Sequence, residues 1–457
     1  MTAEKYLQIL INTGKQASLV EILDAKEARV EKQRQLLEQD GTLISFTLNI
    51  PGAVKTGSLF RQAFDEASKQ ICKQLEWNRC RIIRQEESDS PAGYELYVLT
   101  NANPYMVKNL MVQIEEDSDF GRLLDIDVLD KNGQKISRTA VGREQRKCFL
   151  CGETAAACSR SRKHSWKELM LQIITILQEH FTAQFLDRVA ANAAKALLYE
   201  VATTPKPGLV DCHNSGSHGD MDLFTFFDST VVLTPYFRNF VEKGIELADW
   251  QPEQVLPLLR YPGRQAEEAM NQATGGVNCH KGIIFSLGVI CTAIGMRYGQ
   301  GKEWDTEASL RLSGRICHSL LKDFEKLETP HSYGEQLYVQ YGITGIRGEA
   351  SSGYPSVEKI GLPALKKYLG QGMSLNDAGT WTLLELLAAT EDTNILTRSD
   401  MSTLKAVQCQ ARELLSSENR SPALLEALDR QFMEKHISPG GCADLLALSY
   451  FLYFMEE

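Results

Sequence analysis

The chain changes character once, near residue 165, and that change limits what it can fold into. Ahead of it, strands and helices are interspersed. The run TLISFTLNIPG alternates, is rich in β-branched residues and closes at Pro51-Gly52. Further strands are predicted at Arg81–Arg84, Tyr94–Thr100 and Leu123–Leu129, and helices at Gln16–Gln39, Ser58–Trp77 and Tyr105–Ile114. One small sheet with helices between its strands is an α+β domain. Behind residue 165 no convincing alternating run remains. Trp166–Glu200 reads as one long helix, followed by Leu223–Lys243, Lys281–Tyr298, Glu307–Phe324, Pro363–Leu369, Ala378–Ala389, Ser402–Leu415 and Cys442–Met455. That is an all-α, multi-helix domain whose Gly- and Pro-rich loops carry its polar residues. A chain of 457 residues exceeds a typical single core, so two domains are expected, 1–165 and 166–457.

Charge and cysteine usage narrow the partners. Residues 1–167 hold 25 basic and 23 acidic side chains, the remainder 24 and 36, so the net charge of −10 comes from the helical part. Within the first part, Lys131–Lys163 holds nine basic residues against two acids. Such a stripe in an acidic protein suits a phosphorylated ligand or an acidic protein partner. It is too confined, and too poor in aromatics, to argue for nucleic acid. The apolar run Gly282–Met296 is too short for a bilayer, so no membrane span is expected. MTAEKYLQIL lacks a basic segment followed by an apolar stretch, so no signal peptide is expected. Eleven scattered cysteines fit reduced thiols and a cytoplasmic setting better than a disulfide framework.

The loop Thr203–Asp222, TTPKPGLVDCHNSGSHGDMD, holds far more than a helix connector needs. It resembles the signature of the triphosphoribosyl-dephospho-CoA synthases. GGVNCHKG (Gly275–Gly282), GIRGEASSGYPSV (Gly345–Val357), EDTNILTR (Glu391–Arg398) and SPGGCADLLAL (Ser438–Leu448) resemble the same family in the same order. The resemblance implies that the 2′-hydroxyl of 3′-dephospho-CoA displaces adenine from C1′ of ATP, leaving the triphosphate on the product. Glycosyl transfer of this kind needs acid–base groups and positive charge for the phosphates. Asp220 and Asp222, which straddle Met221 just before a helix, are the catalytic candidates. With Asp392 and Asp444 they are also candidate Mg²⁺ ligands, since Mg²⁺ takes oxygen donors and keeps several waters. Glu349 and Asp211 are further acids of these loops. Asp220 also reads as a cap for the helix near Leu223, and Asp444 as a dipole partner. Lys206, Lys281, Arg347 and Arg398, with the backbone at Gly275 and Gly276, are candidate phosphate binders. No GxxxxGK[ST] loop is present. His213, His218 and His280 lack the HxxxH spacing of a zinc site.

In the first part, LNIPGAVKTG (Leu48–Gly57, with Lys55), GRLLDIDVLD (Gly121–Asp130) and GREQRKCFLCGETAAACSRSRKH (Gly142–His164) resemble the apo-citrate lyase phosphoribosyl-dephospho-CoA transferases. That family attaches the prosthetic group to a serine of the acyl carrier subunit of citrate lyase and releases pyrophosphate. Both resemblances in one chain imply the fused, bifunctional citrate lyase prosthetic-group proteins. Asp125 and Asp127 are two apart on a predicted strand and share a face, as metal-binding carboxylates of a nucleotidyltransferase-like site would. Gly57-Ser58, a candidate for the Gly-Ser of that superfamily, lies far upstream of the pair. Arg122, Arg143, Arg146, Arg160 and Arg162 are candidates to clamp pyrophosphate. Cys148, Cys151, Cys158 and His164 have spacings compatible with a Cys3His zinc site, and equally with ordinary reduced thiols. Two rival readings are a non-catalytic scaffold for CoA or acyl carrier protein and a Mg²⁺-dependent nucleotide hydrolase.

Overall fold

A computed structural model describes residues 2–322, 330, 333–417 and 421–457. It divides into two compact units, Met1–Gln184 and Phe185–Glu457.

The first unit is built on a four-stranded antiparallel sheet. Its strands are β1 (Thr42–Leu48), β2 (Ile82–Ser90), β3 (Gly93–Thr100) and β4 (Leu124–Leu129), in the order β2-β3-β1-β4. Alternation decides its two faces. Ile44, Phe46, Leu96, Val98, Ile126 and Val128 point into a core shared with Phe60, Phe64 and Ile71 of helix Ser58–Trp77 and with Val107 and Met111 of helix Pro104–Glu116. The opposite face is polar. Pairing of Ser45 with Asp127 and Tyr97, and of Thr47 with Asp125 and Glu95, sets those side chains in two cross-strand rows. Helix Leu19–Leu36 covers part of this face through Arg29 on Glu95, Gln33 on Ser45 (2.9 Å) and Leu36 among Leu43, Tyr97 and Leu99. Two elements went unread in the sequence, helix Ala3–Thr13 and the short helix Ala155–Ser161, and β2 runs on to Ser90.

The expected boundary at residue 165 falls at 184 instead, inside the helix Trp166–Ala202. The reason is packing: Met170, Ile173, Ile174, Leu177 and Phe181 belong to the core of the first unit.

Among its described residues, every regular element of the second unit is a helix. At its centre runs Lys281–Gly299, buried almost without break from Ile283 to Met296. This helix is long and apolar enough to cross a membrane, but 72% of its most apolar window is buried within the protein. It crosses helix Leu223–Glu246 at two glycines. A Cβ on Gly295 would meet Val241 O at 2.0 Å, and one on Gly244 would meet Thr292 O at 2.1 Å. Only glycine permits that approach.

Leu362–Gly370, Leu375–Ala389, Met401–Ser416 and Gly440–Glu456 lie within a few residues of the predicted helices. Glu307–Phe324 becomes Thr306–Ile316 and a 3-10 turn, His318–Leu321; Asp323 and Phe324 lie outside the described residues. Five helices of the described residues were missed: Leu256–Ala273, Tyr333–Tyr341, Gly345–Ser351, Thr393–Arg398 and Pro422–Glu434. The first holds Pro262 in its interior, which reads as a breaker. Its buried stripe of Leu256, Leu259, Ala266 and Met270 holds it helical nonetheless. The segments GIRGEASSGYPSV and EDTNILTR, expected as loops, contain helices Gly345–Ser351 and Thr393–Arg398.

Candidate active sites

The five motif segments of the helical unit converge on one cavity of about 850 Å³. Helices Lys281–Gly299 and Gly440–Glu456 both begin on its wall; neither is capped by the residue just before it, but Asn278 Oδ1 accepts from Lys281 N (3.2 Å) and Asp392 from Cys442 N. The positive ends of both helix dipoles lie at the cavity wall, an arrangement that favours phosphate. Lys281 and Arg398 stand beside them. Lys281 is paired with Glu267 (3.2 Å), and Arg398 reaches Ser217 O (3.5 Å) and His218 Nδ1 (3.4 Å).

The carboxylates divide sharply in their surroundings. Asp392 is buried, and both its oxygens are occupied. Oδ1 accepts from Asn394 N (2.8 Å) and Ile395 N (3.2 Å), and Oδ2 from Cys442 N (2.8 Å). It ties two helix starts together. Asp211 likewise accepts from the backbone N–H groups of Lys206, His213 and Asn214, organising its loop. Glu349 is engaged by Ser356. Asp444 is different: it lines the cavity and has no hydrogen bond or ion pair to a described residue. Burial, with Glu200 and Asp392 nearby, raises its carboxyl well above the usual range. Glu391 also lines the cavity without a described partner.

Asp220 and Asp222 are exposed, and neither lines this cavity. Asp222 caps helix Leu223–Glu246, accepting from Thr225 N (2.9 Å) in a capping box. Asp220 lies 3.9 Å from His218. Capping thus belongs to Asp222 rather than to Asp220. Gly275 and Gly276 form the exposed turn that ends helix Leu256–Ala273, with φ of 66° and 92°, and do not line the cavity. Lys206 is buried on the wall but neutralised by Glu200, so it is no loose phosphate clamp. Arg347 lines a second, more apolar cavity of about 650 Å³, which shares Lys281 and Gly282 with the first. His213 is exposed, whereas His218 and His280 line the first cavity. His280 is buried, with Nδ1 2.7 Å from Ser229 Oγ and no partner for Nε2. Burial pushes its imidazole down to about 3, so it is neutral.

In the first unit, Asp125 and Asp127 do share a face of β4, both partly exposed. Arg146 approaches Asp125 (3.7 Å) and Lys135 pairs with Asp127 (2.5 Å). Beneath them Glu115, almost wholly buried, binds Arg146 and Arg138, and Glu116 binds Arg138 and Arg143. Arg122 donates to Cys148 O (2.9 Å) and pairs with Asp119 (3.0 Å). Lys55 donates to Ile50 O (2.5 Å); burial, with Lys26 and Arg29 nearby, lowers its ammonium. Most of the basic stripe is therefore matched by acids. Lys131, Arg160 and Arg162 are its members with no described ion pair, and Arg160 and Arg162 are exposed. The five arginines do not form one clamp.

Residues 186–457 match the family described as ATP:dephospho-CoA triphosphoribosyl transferase, and residues 17–180 match apo-citrate lyase phosphoribosyl-dephospho-CoA transferase. The whole chain is 34% identical to Protein CitXG of Haemophilus influenzae, covering 96% of each chain. It is 32% identical to Protein CitXG of Leuconostoc mesenteroides subsp. cremoris, covering 96% of this chain and 97% of that one. The chain belongs to the bifunctional citrate lyase prosthetic-group proteins. A probable 2-(5''-triphosphoribosyl)-3'-dephosphocoenzyme-A synthase of Photobacterium profundum is 42% identical over 57% of this chain and 85% of its own. As a member of the bifunctional family the protein is an enzyme with two transferase activities, synthesis of triphosphoribosyl-dephospho-CoA and its transfer to apo-citrate lyase.

Several residues of these two sites escaped the sequence reading. Glu200 looks like any acid near a helix end, and its proximity to Lys206 gave the only signal. Glu115, Lys108 and Arg138 carry no motif. Lys108 is buried and donates to Ile126 O (2.8 Å), directly behind the acid pair.

Proposed function

We propose that the 850 Å³ cavity is where ATP loses adenine to the 2′-hydroxyl of 3′-dephospho-CoA. The observation that carries this reading is Asp444, a cavity-lining carboxyl without a partner among the described residues, beside the N-termini of two helices. The triphosphate lies at those N-termini, with Lys281 and Arg398 adding charge. Asp444, held protonated by burial and by its acidic neighbours, is the general acid. It gives its proton to adenine as the C1′–N bond breaks and adenine leaves with the bonding electrons. The carboxylate left behind takes the proton of the 2′-hydroxyl as the new C1′–O bond forms, so the proton balance closes. Neutral His280 offers Nε2 to a polar group of the substrate. The second cavity, with Arg260 and Arg264 one turn apart on helix Leu256–Ala273, suits the pantetheine arm and its phosphates.

For Mg²⁺, Asp220 and Asp222 lie off the cavity and Asp392 has no oxygen to spare, which leaves Glu391 as the carboxylate to hold it with the triphosphate. The ion would neutralise phosphate charge.

In the first unit the open polar face receives the triphosphoribosyl group. The carrier serine oxygen attacks the phosphorus next to the ribose and pyrophosphate departs. Asp125 and Asp127, which share a face of β4, would hold Mg²⁺ there, with Arg146 beside Asp125. Nucleotidyltransferase-like chemistry is supported by this Asp-x-Asp pair and by Gly57-Ser58 opening helix Ser58–Trp77.

Mass spectrometry of ATP and dephospho-CoA incubated with the protein tests these roles. Asp444→Asn should stop adenine release while ATP still binds by calorimetry; near-normal turnover would remove Asp444 from the chemistry. Adenine or phosphate released without the coupled product would favour hydrolysis. Asp127→Ala should stop modification of the carrier serine and leave synthesis of the intermediate intact.

A further inference from the structure

The segment between Ser137 and Trp166 has almost no apolar core. Its only buried side chains are Cys148 and Cys158. A stretch this long cannot offset its ordering entropy with two thiols, and small core-poor segments are ordinarily held by a metal or by disulfides. All four atoms needed for a metal are gathered here. One ligand atom each from Cys148, Cys151, Cys158 and His164 lies within 4.8 Å of every other.

Local structure accounts for the gathering. Lys147 and Thr154 form a β-bridge, and Cys148 N donates to Glu153 O (2.8 Å), so residues 148–153 close a tight turn. Thr154 then caps helix Ala155–Ser161, which presents Cys158. Arg162, at φ 48°, ends that helix, and His164 Nε2 arrives 3.3 Å from Cys151 Sγ. An ideal tetrahedral zinc with Zn–S near 2.3 Å separates its sulfurs by roughly 3.8 Å, so little closure is needed.

We propose that this cluster is a structural Cys3His zinc site. Three thiolates and an imidazole in a closed tetrahedron suit zinc and leave no position for substrate. Zinc would replace the missing core and fix the transferase face indirectly. Ala155 N bonds Arg146 O (2.8 Å), and Arg146 extends to Asp125 and Glu115. Arg122 is anchored on the Cys148 carbonyl. Zinc thus steadies the backbone that carries Arg146 beside Asp125, and the carbonyl that anchors Arg122, without touching substrate.

The full-length protein, purified without chelator, should contain about one zinc per chain by elemental analysis. Cobalt(II) added to the metal-stripped chain should give thiolate-to-cobalt charge-transfer bands and the visible bands of a tetrahedral ion. Cys151→Ser should lose bound zinc and carrier modification while adenine release continues. His164→Cys, which supplies a fourth thiolate, should retain the metal. Purified protein nearly free of zinc, with no thiolate–cobalt band on titration of the wild-type chain, would overturn the proposal. That readout does not depend on either activity, so the assignment of the two reactions stands apart from it.

Discussion

Gly282 lies directly against Asp444: a Cβ on residue 282 would sit 2.2 Å from Asp444 Oδ2. Gly282→Ala is an ordinary substitution for a helical backbone, and the atom displaced is the end of a side chain. The fold should survive while the carboxyl is pushed from its place. Adenine release should fall by about a hundred-fold or more, corresponding to one displaced acid–base group. Unchanged turnover with an unchanged melting temperature would remove the case for Asp444.

Asp222 should behave in the opposite way. Its carboxylate caps helix Leu223–Glu246, so Asp222→Ala should cost about 1 kcal/mol of stability. Adenine release per folded molecule should stay near the wild-type rate. A complete loss of turnover in well-folded protein would restore Asp222 to the chemistry.

His280 gives the synthase unit an acid sensitivity of definite sign. Its folded value, about 3, lies below the ordinary 6.5, because burial excludes the imidazolium. The unfolded chain therefore takes up the proton first. Stability due to neutral His280 is present above about 6.5 and is lost as pH falls toward 3, with a slope approaching about 1.4 kcal/mol per pH unit. Glu200, Asp392 and Asp444 have raised values and act in the opposite sense. The comparison is therefore a difference. Urea unfolding of His280→Gln should show a flatter decline between pH 6.5 and 5 than wild type; parallel declines would contradict the assignment.

Fragments should be cut at 184, not at 165. Met170, Ile173, Ile174, Leu177 and Phe181 belong to the core of the first unit. A synthase fragment from Phe185 should run as a discrete species on size exclusion and release adenine. One from Trp166 should aggregate more, because it exposes that stripe. A transferase fragment ending at Ser165 should be poorly soluble, whereas one ending at Gln184 should fold.

Sequence by itself determined the division into a strand-bearing part and a helical part, because periods of two and 3.6 residues are local properties. It also determined the family, through motifs whose order survives without any geometry. Asp125 and Asp127 could be placed on one face from their spacing, and the Cys148–His164 set from its own. What each acid of the helical unit does was decided only in three dimensions. Asp222, Asp392 and Asp444 look alike in sequence, yet one caps a helix, one is saturated by backbone N–H groups and one is left open to a cavity. Those differences depend on which remote backbone donors arrive beside each carboxylate. The boundary at 184 was hidden for the same reason, since one helix divides its apolar residues between two cores. Local spacing specifies a helix, but only long-range packing specifies what it is buried against.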